Sequence, residues 1–123
     1  MNCTQEQRLH TRVCFYDPVR ANAIQHPKAS WYLPAEDLSE GGLMLMAPDM
    51  FAVGLRLFLD IEPDKESEPI HCVGQVVWVA RARNQEGYRL GIKLIQMSDL
   101  SRERLRELVV ALAKAMPRNP PST

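Results

Sequence analysis

Apolar residues recur at every second position through most of this chain, and the spacing changes to that of a helix only near its C-terminus. In the clearest alternating run, Leu55, Leu57, Leu59 and Ile61 would share one face of a strand. Beyond residue 98 the apolar residues recur at helical spacing, at Leu105, Leu108, Val109, Leu112 and Met116. Several short strands followed by one amphipathic helix predict a mainly β fold, a small antiparallel β-barrel covered by a C-terminal α-helix.

Two prolines interrupt the strand pattern in the first third of the chain. The first apolar run extends from Val13 to Ile24 but is divided at Pro18, and a second run, 31–35, is divided at Pro34. Because proline has no backbone N–H to donate to a sheet, both positions predict a bulge, a turn or a sheet edge. Further strands are predicted at 43–46, 55–61, 70–81 and 88–94.

The two ends of the chain differ in composition from its middle. Residues 1–11 are polar and show no periodicity, which predicts a flexible N-terminal arm. Residues 12–116 would form the barrel and its helix, and Pro117 ends the helical pattern. The sequence therefore predicts one domain at 12–116, with the arm before it and a disordered tail at 117–123 after it.

Length and charge restrict the classes of protein to which the chain can belong. Its 123 residues suffice for one hydrophobic core but not for two. Lys plus Arg and Asp plus Glu both number 15, so the chain lacks the basic excess expected of a DNA- or RNA-binding protein. No apolar run approaches the roughly 20 residues that span a bilayer, and the first residues lack a signal-peptide pattern. These features predict a cytoplasmic protein that is not inserted in a membrane.

The residue types that commonly carry catalysis or bind metals are scattered along the chain. His10, His26 and His71 show no metal-ligand spacing, and neither a nucleophile elbow nor a Gly-rich phosphate loop is present. The three cysteines are odd in number and widely spaced, which predicts inert thiols rather than a disulfide framework. The sequence therefore predicts neither an enzyme nor a bound metal or cofactor.

Two short polar segments combine charged and turn-forming residues. Arg8 and Arg12 precede the first strand, and Asp37, Ser39 and Gly42 lie in a predicted turn from 37 to 42. Taken singly, two arginines four apart are typical of solvated surface charges, and Asp, Ser and Gly are typical turn residues, with glycine supplying a positive φ. Only the two segments together indicate a binding site.

Together, Arg8-x-x-x-Arg12 and Asp37-x-Ser39-x-x-Gly42 resemble the RxxxR and (D/N)xSxxG motifs of the PilZ-domain family, bacterial receptors for the second messenger cyclic di-GMP. The resemblance extends from about residue 7 to about residue 110, because the strands and the final helix also follow the family's order. It implies a PilZ-like fold and cyclic di-GMP as the ligand. It also implies ligand contacts by Arg8, Arg12, Asp37 and Ser39, with Gly42 shaping the turn.

The chemistry of cyclic di-GMP explains why these residue types suit it. The ligand carries two phosphates and two guanines, and an arginine fork can bond a phosphate or the O6 and N7 atoms of guanine. An ionised Asp37 accepts hydrogen bonds, which the Watson–Crick edge of guanine donates.

Trp78 has two interpretations. Family members can carry an aromatic residue or an arginine on this strand near the ligand, where an indole would stack on guanine. A tryptophan among valines can also simply fill the barrel.

The composition of the arm suggests a switch. Without ligand, an arm with two like charges and little to bury would be loosely held. A dianionic ligand would pull the arm over the strands near Asp37, and the protein would then present a different face to a partner protein.

The alternative function is a PilZ-like protein-interaction module that does not bind nucleotide, although such domains typically lack the arginine motif. Gln7 stands where family members often have a further basic residue, which leaves affinity and stoichiometry open. The oligomeric state, the partner and the downstream process, such as motility, polysaccharide export or adhesion, also stay open.

Overall fold

Eight strands and one helix make up the regular structure of residues 12–26, 28–63, 66–83 and 85–115, the part of the chain that the computed structural model describes. The strands are β1 (Val13–Cys14), β2 (Val19–Ala23), β3 (Ser30–Leu33), β4 (Ala35–Leu38), β5 (Gly42–Ala47), β6 (Arg56–Ile61), β7 (Ile70–Arg81) and β8 (Tyr88–Gln96). The helix α1 spans Asp99–Ala115. The arm predicted at 1–11 and the tail predicted at 117–123 lie outside the described residues.

The strands form a single antiparallel sheet in the order β1-β4-β5-β8-β7-β6-β2-β3. The two longest strands, β7 and β8, lie side by side near its middle. The sheet curls into a half-barrel, and α1 packs against β1 and β7. This architecture confirms the predicted mainly β fold with a C-terminal helix.

The curl follows from one long hairpin that bends at both prolines. β1 pairs with β4 before the bend and β2 pairs with β3 beyond it, so each arm of the hairpin is a single strand divided at Pro18 or Pro34. β4 also pairs with β5, and β2 also pairs with β6, near opposite ends of the strand order. Because proline cannot donate to the ladder, pairing breaks there, and the two halves of the hairpin lie at opposite ends of the strand order. The interruptions predicted at Pro18 and Pro34 are confirmed.

The turn predicted from Asp37 to Gly42 is shorter in the structure. Asp37 belongs to β4, where it is paired with Cys14 on one side and with Met44 on the other. Only residues 39–41 connect β4 to β5. The prediction was wrong at both ends of the turn, because 37 and 38 belong to β4 and Gly42 belongs to β5. Pairing with neighbouring strands overrides the weak strand preference of Asp37 and Gly42.

Alternate side chains of the strands fill the interior. On β6, Leu57, Leu59 and Ile61 are fully buried, as their alternation predicts, whereas Phe58 on the opposite face is about half exposed. Ile92 of β8 is also buried in this core. The face of β8 that points away from the core is therefore available to form a surface site.

The helix is capped and oriented by residues that the sequence pattern identifies. The hydroxyl oxygen of Ser98 accepts the backbone N–H of Ser101 at 3.1 Å, which is an N-cap interaction. Leu105 and Val109 are buried on the core side of α1. Met116, predicted to continue this stripe, lies outside the described residues. The cap and the apolar stripe together fix α1 against the barrel.

The cysteines have different chemical states. Cys72 is a buried free thiol. Burial, with a smaller contribution from the negative charge of Asp60, raises the pKa of this thiol to about 12. Cys72 therefore stays protonated and unreactive at neutral pH, as predicted. Cys14 is disulfide-bonded, so the prediction of inert thiols is wrong for this residue. Cys3 lies outside the described residues.

Candidate functional site

A cavity of about 340 Å³ lies where the turn between β4 and β5 meets β7 and β8. Four of the residues predicted to bind a ligand line it, namely Arg12, Ser39, Gly42 and Trp78. A fifth, Asp37, is held beside the cavity by its contact with Arg12. Arg8 lies outside the described residues. The fold thus brings together side chains that are up to 66 positions apart in the sequence, the separation of Arg12 and Trp78.

Arg12 and Asp37 form an ion pair beside the cavity. The Nη1 atom of Arg12 donates to Oδ2 of Asp37 at 3.0 Å, and the two side chains are 18% and 15% exposed. The pairing of Cys14 with Asp37 brings β1 beside β4 and so places the two side chains together. The hydrogen bond to Asp37 orients the guanidinium of Arg12. Because the pair is shielded from bulk water, salt screens it less than it would screen an exposed ion pair.

The hydroxyl of Ser39 stabilises the turn itself. Its oxygen accepts the backbone N–H groups of Gly41 and Gly42, each at 3.2 Å, and the N–H of Ser39 donates to the carbonyl of Gly42 at 2.8 Å. The side chain is only 5% exposed although it borders the cavity. Ser39 therefore determines the shape of the cavity wall, and any role in ligand contact is additional to this one.

The turn is also tied to neighbouring elements on both sides. The carbonyl of Gly41 accepts the N–H of Leu94 at 2.9 Å, which fixes the turn to β8. Oε1 of Glu40 lies 3.2 Å from Nε of Arg106, so an ion pair links the turn to α1. A turn held by its own serine, by β8 and by α1 is a preformed wall for a ligand.

Gly42 is required for a different reason from the one its turn position suggests. Among the described glycines, positive φ values occur at Gly54 and Gly87, not at Gly42. A Cβ atom at Gly42 would instead collide with the carbonyl oxygen of Ile92 on β8. The expectation that glycine supplies a positive φ in this turn is therefore wrong, because the constraint is the close approach of β5 to β8.

Trp78 reaches the surface through an irregularity in β7. The register between β7 and β8 shifts between Val76 and Trp78. Val77 and Trp78 are consequently both exposed, at 43% and 38%, although neighbours in a regular strand point to opposite faces. The indole lies over Gly91 of β8, where a Cβ atom would collide with it. Trp78 therefore does not fill the barrel but forms one wall of the cavity.

Sequence reasoning missed Arg89, which packs against Trp78. The guanidinium carbon lies 6.0 Å from the centroid of the indole ring, within the range of a cation–π contact. One of its terminal nitrogens, Nη2, lies 3.2 Å from the sulfur of Met44, and its Nε lies 4.0 Å from Glu36. The alternation of Arg89, Gly91 and Lys93 along β8 was the available signal, since it places all three on the face opposite the core.

The described residues contain no helix that is long and apolar enough to cross a membrane. Within the same residues, no group of three or more His, Cys, Asp or Glu side chains is arranged to hold a metal ion. Among the described residues, the charged side chains that line the cavity are Arg12 and Lys93, both cations, and the carboxylate of Asp37 lies beside Arg12. The site is thus suited to an anionic ligand that carries planar groups.

Comparison with known proteins identifies a family for most of the chain. The model of the PilZ domain matches residues 6–111. No curated protein matches the chain at the level of sequence.

Solved structures share the fold at low sequence identity. The inhibitor of motility MotI/DgrA from Bacillus subtilis is 17% identical with a TM-score of 0.77, and the alignment covers 92% of this chain and 54% of that one. The chain therefore spans about half the length of MotI/DgrA. The PilZ domain of YcgR from Escherichia coli, solved with c-di-GMP, is 14% identical with a TM-score of 0.69, covering 89% and 94% of the two chains. The PilZ domain of CeSA from a cellulose-synthesizing bacterium is 18% identical with a TM-score of 0.60, covering 83% and 97%.

Proposed function

The chain belongs to the PilZ domain family, and on that premise we propose that it is a receptor for cyclic di-GMP, which it binds in the cavity beside Arg12. The observation that carries this proposal is the convergence of Arg12, Trp78 and the turn between β4 and β5 on one cavity. Structures of two proteins with a similar fold, YcgR and MrkH, have been solved with this ligand.

Each wall of the cavity offers a group that suits one part of the ligand. The guanidinium of Arg12 would bond a phosphate or a guanine edge. Asp37, which orients Arg12, would accept hydrogen bonds from a guanine. The indole of Trp78 offers a flat apolar surface for stacking. Ser39 and Gly42 would act mainly by fixing the turn against which the ligand lies, and Arg8 is proposed as the second arginine of the pair.

We expect isothermal titration with cyclic di-GMP to give saturable heat, and titration with GTP or GMP to give none at the same concentrations. The physical reason is that only the cyclic dinucleotide presents two guanines and two phosphates at a fixed separation. The stoichiometry would also show whether one ligand or a stacked pair binds. Absence of heat, together with an unchanged melting temperature at high ligand concentration, would contradict the proposal and favour an interaction module that does not bind nucleotide.

We further propose that the output is a conformational change read by a partner protein rather than catalysis. The proposed second arginine, Arg8, precedes β1, so its contact with a ligand in the cavity would draw the residues before Arg12 toward the turn between β4 and β5. Ordering of this segment would alter the surface beside β1 and α1, and α1 is already coupled to the turn through Glu40 and Arg106.

Saturation with cyclic di-GMP is expected to slow amide hydrogen exchange in residues 5–13. An ordered segment opens less often than a loosely held one, so its amides become protected. Exchange in β6, which contributes no residue to the cavity, serves as the internal control. Unchanged exchange in 5–13 at full occupancy would show that this switch does not operate, even if the ligand binds.

A further inference from the structure

Lys93 faces the cavity from the centre of the sheet. It lies on β8, where its backbone is paired with Gly42 of β5 on one side and with Gln75 of β7 on the other. Paired residues of neighbouring strands share one face of the sheet, and Gly42 has no side chain that could stand beside Lys93 on that face. Along β8, Lys93 lies two residues from Gly91, on the same face of the strand as the indole of Trp78.

The charges around the cavity make Lys93 electrostatically distinct from Arg12. The positive charge of Arg12 is offset by Asp37 at 3.0 Å. Within the described part of the chain, no carboxylate forms an ion pair with Lys93, which is exposed and lines the cavity. Among the described residues that line the cavity, Lys93 is therefore the positive charge without a carboxylate partner, although the net charge of the whole chain is zero.

We propose that Lys93 binds a phosphate of the cyclic dinucleotide and is a second cationic contact of the site. This inference rests on the proposed function, because the phosphate belongs to the proposed ligand. A lysine suits this position since its ammonium is a mobile point charge with three donors, and it needs no fixed fork geometry. Arg12, oriented by Asp37, and Lys93, on the other side of the turn, would then hold the ligand from two directions.

Replacing Lys93 tests the proposal by titration with cyclic di-GMP at low and at high salt. Lys93→Ala and Lys93→Gln are each expected to raise Kd about tenfold, because both remove a charge-assisted hydrogen bond. Both should also make Kd less sensitive to salt, since one screened attraction is lost. Lys93→Arg should retain affinity within about threefold, because it keeps the charge. Because the side chain is exposed, the melting temperature of each variant should stay close to that of wild type.

Lys28→Ala is the matched control, since Lys28 is exposed and does not line the cavity. The inference is overturned if wild type binds cyclic di-GMP and both neutral Lys93 variants show wild-type affinity and salt dependence. It is also overturned if Lys93→Gln binds like wild type while Lys93→Ala does not, since the charge would then be irrelevant. Failure of the wild type to bind at all would instead count against the proposed function, so the two failures are distinguishable.

Discussion

Replacing Arg12 with alanine is expected to weaken cyclic di-GMP binding by about 10- to 100-fold. The substitution removes charge-assisted hydrogen bonds, which contribute about 1.5 to 3 kcal/mol each. It also removes one partner of Asp37, since the two side chains meet at 3.0 Å with little exposure to water. Isothermal titration measures the change in Kd, and a melting curve for each variant establishes that the protein is folded at the titration temperature.

Two further variants show whether the effect belongs to the arginine fork. Arg12→Lys keeps the positive charge but loses the planar geometry that matches phosphate and guanine edges, so it should recover only a small part of the affinity. Arg20→Ala is the control, because Arg20 is an exposed arginine on β2 that packs beside Tyr32 and does not line the cavity. Wild-type affinity in Arg12→Ala would remove the main support for a ligand site in this cavity.

Trp78→Ala and Gly91→Ala are expected to weaken binding by similar factors, roughly 5- to 150-fold. Stacking of one base on an aromatic side chain contributes about 1 to 3 kcal/mol. Trp78→Ala removes the indole directly. Gly91→Ala places a methyl group where the indole now lies, so the ring must move away from the wall of the cavity. Gly91 does not have a positive φ, so alanine should be tolerated by the backbone itself.

A double-mutant cycle shows whether Gly91→Ala weakens binding by displacing the indole of Trp78 or by an independent effect on affinity. Because Gly91→Ala would act through the indole, the double variant should bind like Trp78→Ala alone. Trp31→Phe is the matched control, since Trp31 packs against Phe51 at a centroid distance of 4.9 Å and does not line the cavity. Additive losses in the double variant would show that Gly91 affects binding by another route, and full affinity in Trp78→Ala would exclude stacking.

The sequence by itself determined the types and the order of most elements. Alternation placed Leu57, Leu59 and Ile61 in the core, and the change of period located α1. Pro18 and Pro34 marked the two bends of the first hairpin. These features could be predicted because they depend on local spacing and on the missing N–H of proline, which act within a few residues of chain.

The sequence predicted the motif residues as a set, but it did not predict what each described member contacts. The spacing of Arg12, Asp37 and Ser39 indicated a binding site, and the fold does bring the three together. Yet Asp37 lies in a strand rather than a turn, and the hydroxyl of Ser39 is engaged by the turn's own N–H groups. Hydrogen-bond partners depend on which strands become neighbours, and a short motif does not encode that.

Only the tertiary structure decided how the cavity is completed. A register shift of β7 against β8 turns Trp78 to the surface, and Gly91 gives the indole space to lie against β8. Pairing of β8 with β5 sets Lys93 opposite Gly42. Local periodicity assigns a side chain to a face of its strand. Which side chains become neighbours on that face depends on contacts between residues far apart in the chain, and those contacts exist only once the sheet has assembled.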